Sequence, residues 1–215
     1  MIVSWASIRR LMPDHQISND NQDNEHTRDG DFANAGVRLP SPLLNVVLVE
    51  PEIPNNTGNI GRTCVTTGCR LHLVHPLAFD IDEKACRRAG LDYWPRLDLV
   101  EHENADAYLS AHPPSSEASP RSWFLTSHAT RSIFDAPLRR GDHLVFGRET
   151  RGLSGEVLER VPESQRVSVP MVPNERSLNL STCVAVCVYT AIRTMFGSGD
   201  IVIDQHGRLR DPENG

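Results

Sequence analysis

Three short polar segments of this chain combine amides, hydroxyls, glycines and arginines in patterns that could bind and activate a substrate. They read N-N-T-G-N-I-G-R at residues 55–62, G-R-E-T-R-G at residues 147–152 and E-R-S-L-N-L-S at residues 175–181. Each lies where an apolar run meets a predicted helix, and such a junction holds reactive side chains in place. We therefore interpret the three segments as candidate parts of one active site.

Each segment alone has two interpretations. The first suits an anion at a helix N-terminus, or is simply a capping loop. The second lacks the Lys-Ser/Thr of a P-loop, so a plain strand-to-helix turn and a ligand-binding loop both stay open. In the third, Ser177 is predicted to cap the last helix with Asn179 in its first turn, and both side chains are candidates for orienting a substrate hydroxyl.

Other chemistries lack their usual signatures. No G-x-S-x-G elbow is present, and no G-x-G-x-x-G opens the first helix. The spacing of His72, His75, His128 and His143 suggests no metal site, so we expect structural histidines and no metal. The five cysteines form no C-x-x-C pair, and Cys183 and Cys187 lie four apart in an apolar helix. Reduced thiols and a cytoplasmic location are the expectation.

Composition narrows the possible partners. The formal net charge of −6 argues against a general nucleic-acid coat. Of the 22 basic residues only Lys84 is a lysine, and arginine forks suit phosphate oxygens, so individual arginines must be judged by position. No uninterrupted apolar run reaches the roughly 18 residues of a membrane helix, so we expect no membrane segment.

The elements that must position these segments alternate between strands and helices. Residues 1–42 are polar and aperiodic and are predicted to be a disordered extension, residues 43–197 a single domain and residues 198–215 a tail. Strands are predicted at residues 45–50, 70–75, 97–100, 123–126, 143–146 and 167–169. Helices are predicted at residues 60–67, 83–89, 104–111, 154–160 and 178–196. This alternation predicts an α/β fold with a mostly parallel sheet and helices on both faces. Ligands of such sheets bind at the carboxyl ends of the strands, which selects the loops after Leu125, Phe146 and Val169.

Taken in order, the motifs resemble the SPOUT superfamily of RNA methyltransferases. The resemblance covers about residues 43–196 and rests on P-E-I-P-N-N-T-G-N-I at residues 51–60, R-R-A-G-L-D-Y at 87–93, G-R-E-T-R-G at 147–152, and P-M-V-P with S-L-N-L-S within 170–181. The first two stretches are similar to the TrmL branch, whose members methylate the ribose 2′-hydroxyl of the wobble nucleotide, position 34, of certain tRNAs. One departure is Arg148, where relatives often have proline.

The resemblance implies a C-terminal trefoil knot, S-adenosylmethionine as cofactor and a homodimer formed through the last helix. The implied cofactor contacts are Leu125, Thr126, Gly147, Val169, Met171, Ser177 and Leu178. The implied substrate is the anticodon stem-loop of tRNA, with leucine tRNAs expected, and Arg87, Arg88, Arg148 and Arg151 are candidate phosphate contacts.

The implied catalytic set is Arg62, Asn56, Glu149, Ser177 and Asn179. We expect Arg62 to contact the tRNA phosphate and acceptor ribose, as base or as electrostatic support, and Asn56 and Glu149 to hold it. The alternatives are a 2′-O-methyltransferase acting on another tRNA position or on ribosomal RNA, a non-catalytic RNA-binding module of the same fold, and an unrelated nucleotide-dependent enzyme.

Overall fold

A six-stranded parallel sheet forms the centre of the protein. The computed structural model describes residues 41–79, 93–114, 120–175 and 177–212, so residues 1–40 of the predicted extension and the predicted helix at 83–89 lie outside the described residues. The strands are β1 (Asn45–Val49), β2 (Arg70–Val74), β3 (Leu99–His102), β4 (Ser122–Leu125), β5 (His143–Phe146) and β6 (Arg166–Val167). Their order is β3-β2-β1-β5-β4-β6, which confirms the predicted parallel α/β sheet.

Helices cover both faces of the sheet, as predicted. They are α1 (Pro54–Thr67), α2 (Ala105–Ala111), α3 (Gly155–Glu159) and α4 (Leu180–Ser198). Alternate residues of β1 enter two separate hydrophobic clusters because successive strand side chains point to opposite faces. Val46 and Leu48 pack with α1 and α4, whereas Val47 and Val49 pack with α2 and α3. Burial on both faces explains why β1 is a continuous apolar run.

Helix α1 begins six residues earlier than predicted, at Pro54. The prediction of a polar loop over residues 55–59 was therefore wrong, and Asn56 and Thr57 are buried helical residues. Proline suits the first helical position, since it lacks only an amide that the helix cannot bond and its φ is already helical. The helix ends at Gly68, whose φ of 70° is the left-handed conformation that glycine tolerates.

Helix α4 begins at Leu180, and its N-cap is Asn179 rather than the predicted Ser177. The Asn179 side-chain oxygen accepts hydrogen bonds from the backbone amides of Ser181 and Thr182. By length and composition alone α4 could cross a membrane, although polar residues such as Thr190 and Arg193 interrupt its apolar sequence. One face of it, including Val188 and Met195, is buried in the core, as in the core helix of a globular domain.

The chain after α4 folds back as a short antiparallel hairpin of β7 (Val202–Ile203) and β8 (Leu209–Arg210). Ile201 is buried in the main hydrophobic cluster. An ion pair between Arg140 and Asp211 joins the end of this hairpin to the loop before β5. The predicted tail thus includes structure that contacts the sheet domain.

Four histidines gather beneath α2, on the face of the sheet away from α1 and α4. His72 lies on β2, His102 on β3 and His143 on β5, and His112 directly follows α2. The rings of His72 and His102 are stacked with centroids 5.2 Å apart, and those of His112 and His143 are 4.5 Å apart. Burial first, and neighbouring histidines second, lower the pKa of both His72 and His143 to about 3. Burial also lowers the pKa of His102 and His112, so all four rings are neutral near pH 7.

Candidate functional site

A cavity of about 570 Å³ opens at the carboxyl ends of β4, β5 and β6. The loops after Leu125, Phe146 and Val169 all line it, as the parallel-sheet interpretation predicted. The strand order reverses between the neighbouring strands β1 and β5, and ligands of parallel α/β sheets usually bind beside such a point. Apolar side chains form much of the wall, and the first turn of α4 closes one side.

All of the predicted site residues except Arg62 line this cavity. Those lining it are Asn56, Leu125, Thr126, Gly147, Glu149, Val169, Met171, Ser177, Leu178 and Asn179. Four separate parts of the chain meet there, because strand-end loops and helix starts converge at one edge of the sheet.

Glu149 binds the start of α1. Its carboxylate accepts hydrogen bonds from the backbone amides of Glu52 at 2.8 Å and Ile53 at 3.2 Å, and from the Asn56 side-chain amide at 3.0 Å. The N-cap residue Ile53 has no side chain able to cap the helix, so Glu149 supplies the missing acceptor from a different loop. A negative charge at a helix N-terminus is also favoured by the helix dipole.

Asn56 passes this connection on to α4. Its side-chain oxygen accepts a hydrogen bond of 2.9 Å from the side-chain amide of Asn179. The oxygen of Asn179 in turn accepts from the backbone amide and the hydroxyl of Ser181. Glu149, Asn56 and Asn179 therefore form one row of hydrogen bonds, the carboxylate–amide row, which joins the loop after β5 to α1 and to the start of α4. Each of the two side-chain amides both donates and accepts a hydrogen bond in this row, which fixes the orientation of its oxygen and nitrogen.

Two further contacts lock the loop after β1 to the loop after β5. Arg148 forms an ion pair with Glu50, and the hydroxyl and backbone amide of Thr150 donate to Glu52 at 2.8 and 3.0 Å. Sequence reasoning gave Glu50 and Glu52 no role. Their position could have indicated one, because they lie on either side of Pro51, directly after a predicted strand and before the first candidate segment.

Gly147 allows the loop at residues 147–152 to fold tightly back on itself. A Cβ atom at Gly147 would lie 2.1 Å from the Gly152 carbonyl carbon, because Arg148 and Gly152 pair their backbones across the loop. Gly152 has a φ of 68°, a left-handed backbone conformation that favours glycine, although a Cβ atom there would meet no neighbouring atom. The G-x-x-x-x-G spacing thus has a structural reason in the fold of the loop, and both glycines also line the cavity.

Arg62 lies outside the carboxylate–amide row. Its side chain is exposed on α1, with the guanidinium carbon 4.8 Å from the ring centroid of Tyr93. The Tyr93 hydroxyl donates to the carbonyl of Gly58, which fixes the ring against the same helix. Asn56 bonds to Glu149 and to the side chain of Asn179, and Glu149 also accepts from the backbone amides of Glu52 and Ile53. That Asn56 and Glu149 also hold Arg62 stays a prediction. Arg62 lies six residues after Asn56 on the same helix, a spacing that places the two side chains on different faces.

The candidate phosphate contacts separate into three groups. Arg151 is exposed at the rim of the cavity. Arg148 also lines the cavity, but its guanidinium is engaged by Glu50. Arg87 and Arg88 lie outside the described residues.

With this geometry established, comparison with known proteins defines the class. The model of the SpoU rRNA Methylase family matches residues 43–189, and the chain belongs to this family. The match confirms the resemblance to SPOUT methyltransferases.

Relatives narrow the comparison further. The chain is 51% identical over 152 residues to a tRNA (cytidine(34)-2′-O)-methyltransferase of Polaromonas sp., an alignment that spans 70% of this chain and 90% of the relative. A solved structure from work on 2′-OH methylation of C/U34 on tRNA is 43% identical, with a TM-score of 0.64, and covers 72% of this chain and 97% of that one. The SpoU methyltransferase AviRb of Streptomyces viridochromogenes, solved with its cofactor AdoMet, shares the fold at 24% identity and a TM-score of 0.60, covering 78% of this chain and 65% of that one.

Proposed function

We propose that this chain transfers a methyl group from S-adenosylmethionine to the ribose 2′-hydroxyl of nucleotide 34 of tRNA, with leucine tRNAs as the expected substrates. The observation that carries the proposal is the cavity at the ends of β4, β5 and β6, with the carboxylate–amide row at its margin. The similarity to tRNA (cytidine(34)-2′-O)-methyltransferases over nearly their whole length supports the choice of substrate.

The cavity fits the proposed cofactor. Its volume falls within the range of roughly 300–1,000 Å³ that is usual for small-molecule sites, and its wall combines apolar side chains with polar and charged ones. When bound, S-adenosylmethionine supplies a methyl group on a positively charged sulfonium, which is already activated for displacement. The proposed contacts are Leu125, Thr126, Gly147, Val169, Met171, Ser177 and Leu178. We assign these loops to the trefoil knot that the SPOUT resemblance implies, with family membership as the support.

The carboxylate–amide row holds the reaction geometry. Asn56 and Asn179 bond to each other and Asn56 bonds to Glu149, which keeps the starts of α1 and α4 at a fixed separation beside the cavity. Methyl transfer needs the acceptor oxygen in line with the bond that breaks, so the protein contributes mainly position. Ser177, exposed on the segment before α4, would orient the ribose hydroxyl.

Arg62 acts, in this proposal, in the cavity of a partner subunit. Its own cavity does not include it, and its side chain is exposed on α1, which packs beside α4. The outer face of α4 exposes Tyr189 and Phe196, at 58% and 46%, and a homodimer through α4 would cover them. A guanidinium does not give up its proton in proteins, so Arg62 would provide positive charge for the phosphate and the developing alkoxide rather than act as base.

Recognition of the RNA would rest on a local basic rim. The chain carries a formal net charge of −6, so attraction to phosphate must come from particular arginines such as Arg151. Binding through phosphate contacts weakens steeply as salt rises. A single-stranded anticodon loop allows its nucleotide to be splayed out toward the cavity. The proposed location is the cytoplasm, where tRNA and reduced cysteines are both found.

The experiment uses purified full-length protein, methyl-labelled S-adenosylmethionine and leucine anticodon stem-loops. A stem-loop with cytidine at position 34 should take label. A matched stem-loop with 2′-deoxycytidine there lacks only the acceptor oxygen and should take none.

Total tRNA and ribosomal RNA from a strain lacking nucleotide-34 methylation complete the test. Label should map to nucleotide 34 of tRNA. Label in ribosomal RNA alone would overturn the tRNA assignment in favour of the ribosomal alternative. Binding of RNA without transfer of label to any RNA would favour a non-catalytic module.

A further inference from the structure

Three histidines beneath α2 have the arrangement of a metal site. The side chains of His72, His102 and His112 each offer a ring nitrogen, and these three nitrogens all lie within 4.8 Å of one another. They come from β2, from β3 and from the residue after α2, and none of them lines the cavity. We propose that they bind a divalent transition-metal ion, with zinc the best fit, which fastens the end of α2 to the sheet.

The hydrogen bonds around His72 leave one of its nitrogens ready to bind. The side-chain amide of Asn45 donates to the carbonyl of Gly141 at 2.7 Å, so its oxygen is the atom that faces His72 Nε2 at 3.1 Å. His72 Nε2 must therefore carry the proton, and Nδ1 keeps a free lone pair. Metal-binding histidines commonly donate their other ring N–H to a fixed oxygen in this way, which orients the ring.

His102 lies directly opposite that lone pair. Its Nε2 is 2.9 Å from His72 Nδ1, a distance at which the two nitrogens share one proton. Two nitrogens bound to one tetrahedral zinc ion lie about 3.3 Å apart, each about 2.0–2.1 Å from the metal. A small outward shift of the rings would let the ion take the place of that proton.

His112 completes the set from the other side. Its ring stands nearly perpendicular to those of His72 and His102, with both centroids 5.8 Å away. His112 and His102 are half-buried, which gives an ion a path from solvent, whereas His72 is buried. Neutral imidazole is the form that binds metal, and burial keeps these rings neutral.

The chemistry of the donors selects the class of metal. Imidazole nitrogen suits zinc, copper and nickel, whereas calcium and magnesium prefer oxygen ligands. Three histidines leave the fourth tetrahedral position for water. His143 is close, but its Nδ1 bonds to the Tyr108 hydroxyl at 3.0 Å, so only its Nε2 could take that position.

The ion would tie a short element to the sheet. Helix α2 has only seven residues, and its N-terminus is capped by Asn104. Its other end would gain a bond to β2 and β3 through His112. The site is proposed to add stability and to take no part in methyl transfer.

The test is a metal titration of the untagged full-length chain after a chelator has been added and removed. Zinc alone should bind at one ion per chain and raise the midpoint of thermal unfolding by about 5–10 °C at a hundredfold excess over its Kd. Cobalt alone should give a tetrahedral visible spectrum without a thiolate charge-transfer band.

The variant His112→Ala should weaken zinc binding at least tenfold. The matched control, His206→Ala, removes an exposed histidine from the C-terminal hairpin and should bind zinc like the wild type. If His112→Ala unfolds more easily than wild type in chelator, His112→Gln gives the same comparison with the side-chain bulk retained.

Three results would overturn the proposal. They are absence of stoichiometric binding, unchanged zinc affinity in the His112 variants, and a thiolate charge-transfer band that assigns the ion to the cysteines.

Discussion

The cavity and the histidine cluster are two polar sites on one sheet, and they are built differently. In the cavity the polar side chains lie on loops and at helix starts, and they bond to backbone amides and to one another across loops, as Glu149 does with Glu52 and Ile53. In the cluster the side chains lie on β2, β3 and β5 and beside α2, and they contact mainly each other's rings. One site leaves open space for a ligand, whereas the other fills its space with rings.

Because of this difference, we expect the residues of the cavity to affect mainly catalysis and the residues of the histidine cluster to affect mainly stability. Groups around an open cavity can change methyl transfer while the core stays packed, because little apolar surface depends on them. Groups buried between strands and a helix contribute to folding, because each must keep its partners once removed from water. The following predictions test that separation.

The variant Arg62→Ala should have the largest effect, and on activity alone. We expect turnover to fall about 100-fold or more, as for loss of a charged group that acts in the transition state. The Kd for S-adenosylmethionine, measured by calorimetry, and the thermal midpoint should stay close to wild type, since the side chain is exposed and outside its own cavity.

Arg139→Ala is the matched control for Arg62→Ala. It removes an exposed arginine that precedes the amino end of β5, whereas the cavity lies at the carboxyl ends of the strands, and it should keep the wild-type rate. A near-wild-type rate in Arg62→Ala would exclude Arg62 from the reaction.

The variant Asn56→Asp should affect both activity and stability. It places a second carboxylate about where the Asn56 amide now donates to Glu149 at 3.0 Å. We expect urea unfolding to show a loss of about 1–3 kcal/mol, with slower methyl transfer because the starts of α1 and α4 are no longer held.

Adding Glu149→Gln to Asn56→Asp should restore part of this loss, because the glutamine removes the like charge and can donate in return. The double-mutant cycle should give a coupling free energy of about 1 kcal/mol. A cycle without coupling would mean that the carboxylate–amide row does not act as a unit.

Acid should destabilise the metal-free protein through the histidine cluster. His72 and His143 have a pKa of about 3 when folded, against an ordinary value of 6.5. Between these two pH values the histidines are protonated in the unfolded chain and neutral in the folded chain. The free energy of unfolding is therefore highest above about pH 6.5 and falls as the pH drops toward 3. Urea unfolding in chelator should show a fall on the order of 1 kcal/mol per pH unit.

His143→Gln, which has no titrating ring, should have a shallower pH dependence than the wild type. The same slope in both proteins would show that other groups cause the acid sensitivity.

Metal removal should have the smallest effect on catalysis. Chelator should lower the thermal midpoint toward that of the metal-free chain, yet leave the rate of methyl transfer nearly unchanged at temperatures well below unfolding. His206→Ala serves as the reference in both measurements. A large loss of rate that zinc restores would connect the two sites and contradict the separation.

Local patterns in the chain were enough to predict most of the sheet. The strand at residues 143–146 was placed correctly, and β3 and β6 were displaced by only a few residues. Alternating strands and helices indicated a parallel sheet, whose carboxyl ends must share an edge, and so the loops that line the cavity could be named in advance. Contiguous motifs also selected the residues of the carboxylate–amide row.

Only tertiary contacts decided the rest. Helix α1 starts at Pro54 because Glu149, from a loop 93 residues away from Asn56, accepts the hydrogen bonds at its first turn. The histidine cluster depends on strand register, which places His102 beside Val74 and thus next to His72. Sequence determines which segments are strands and helices because those preferences act between near neighbours. The partners of a helix start or of a buried ring come from distant parts of the chain, so they become defined only when the chain packs.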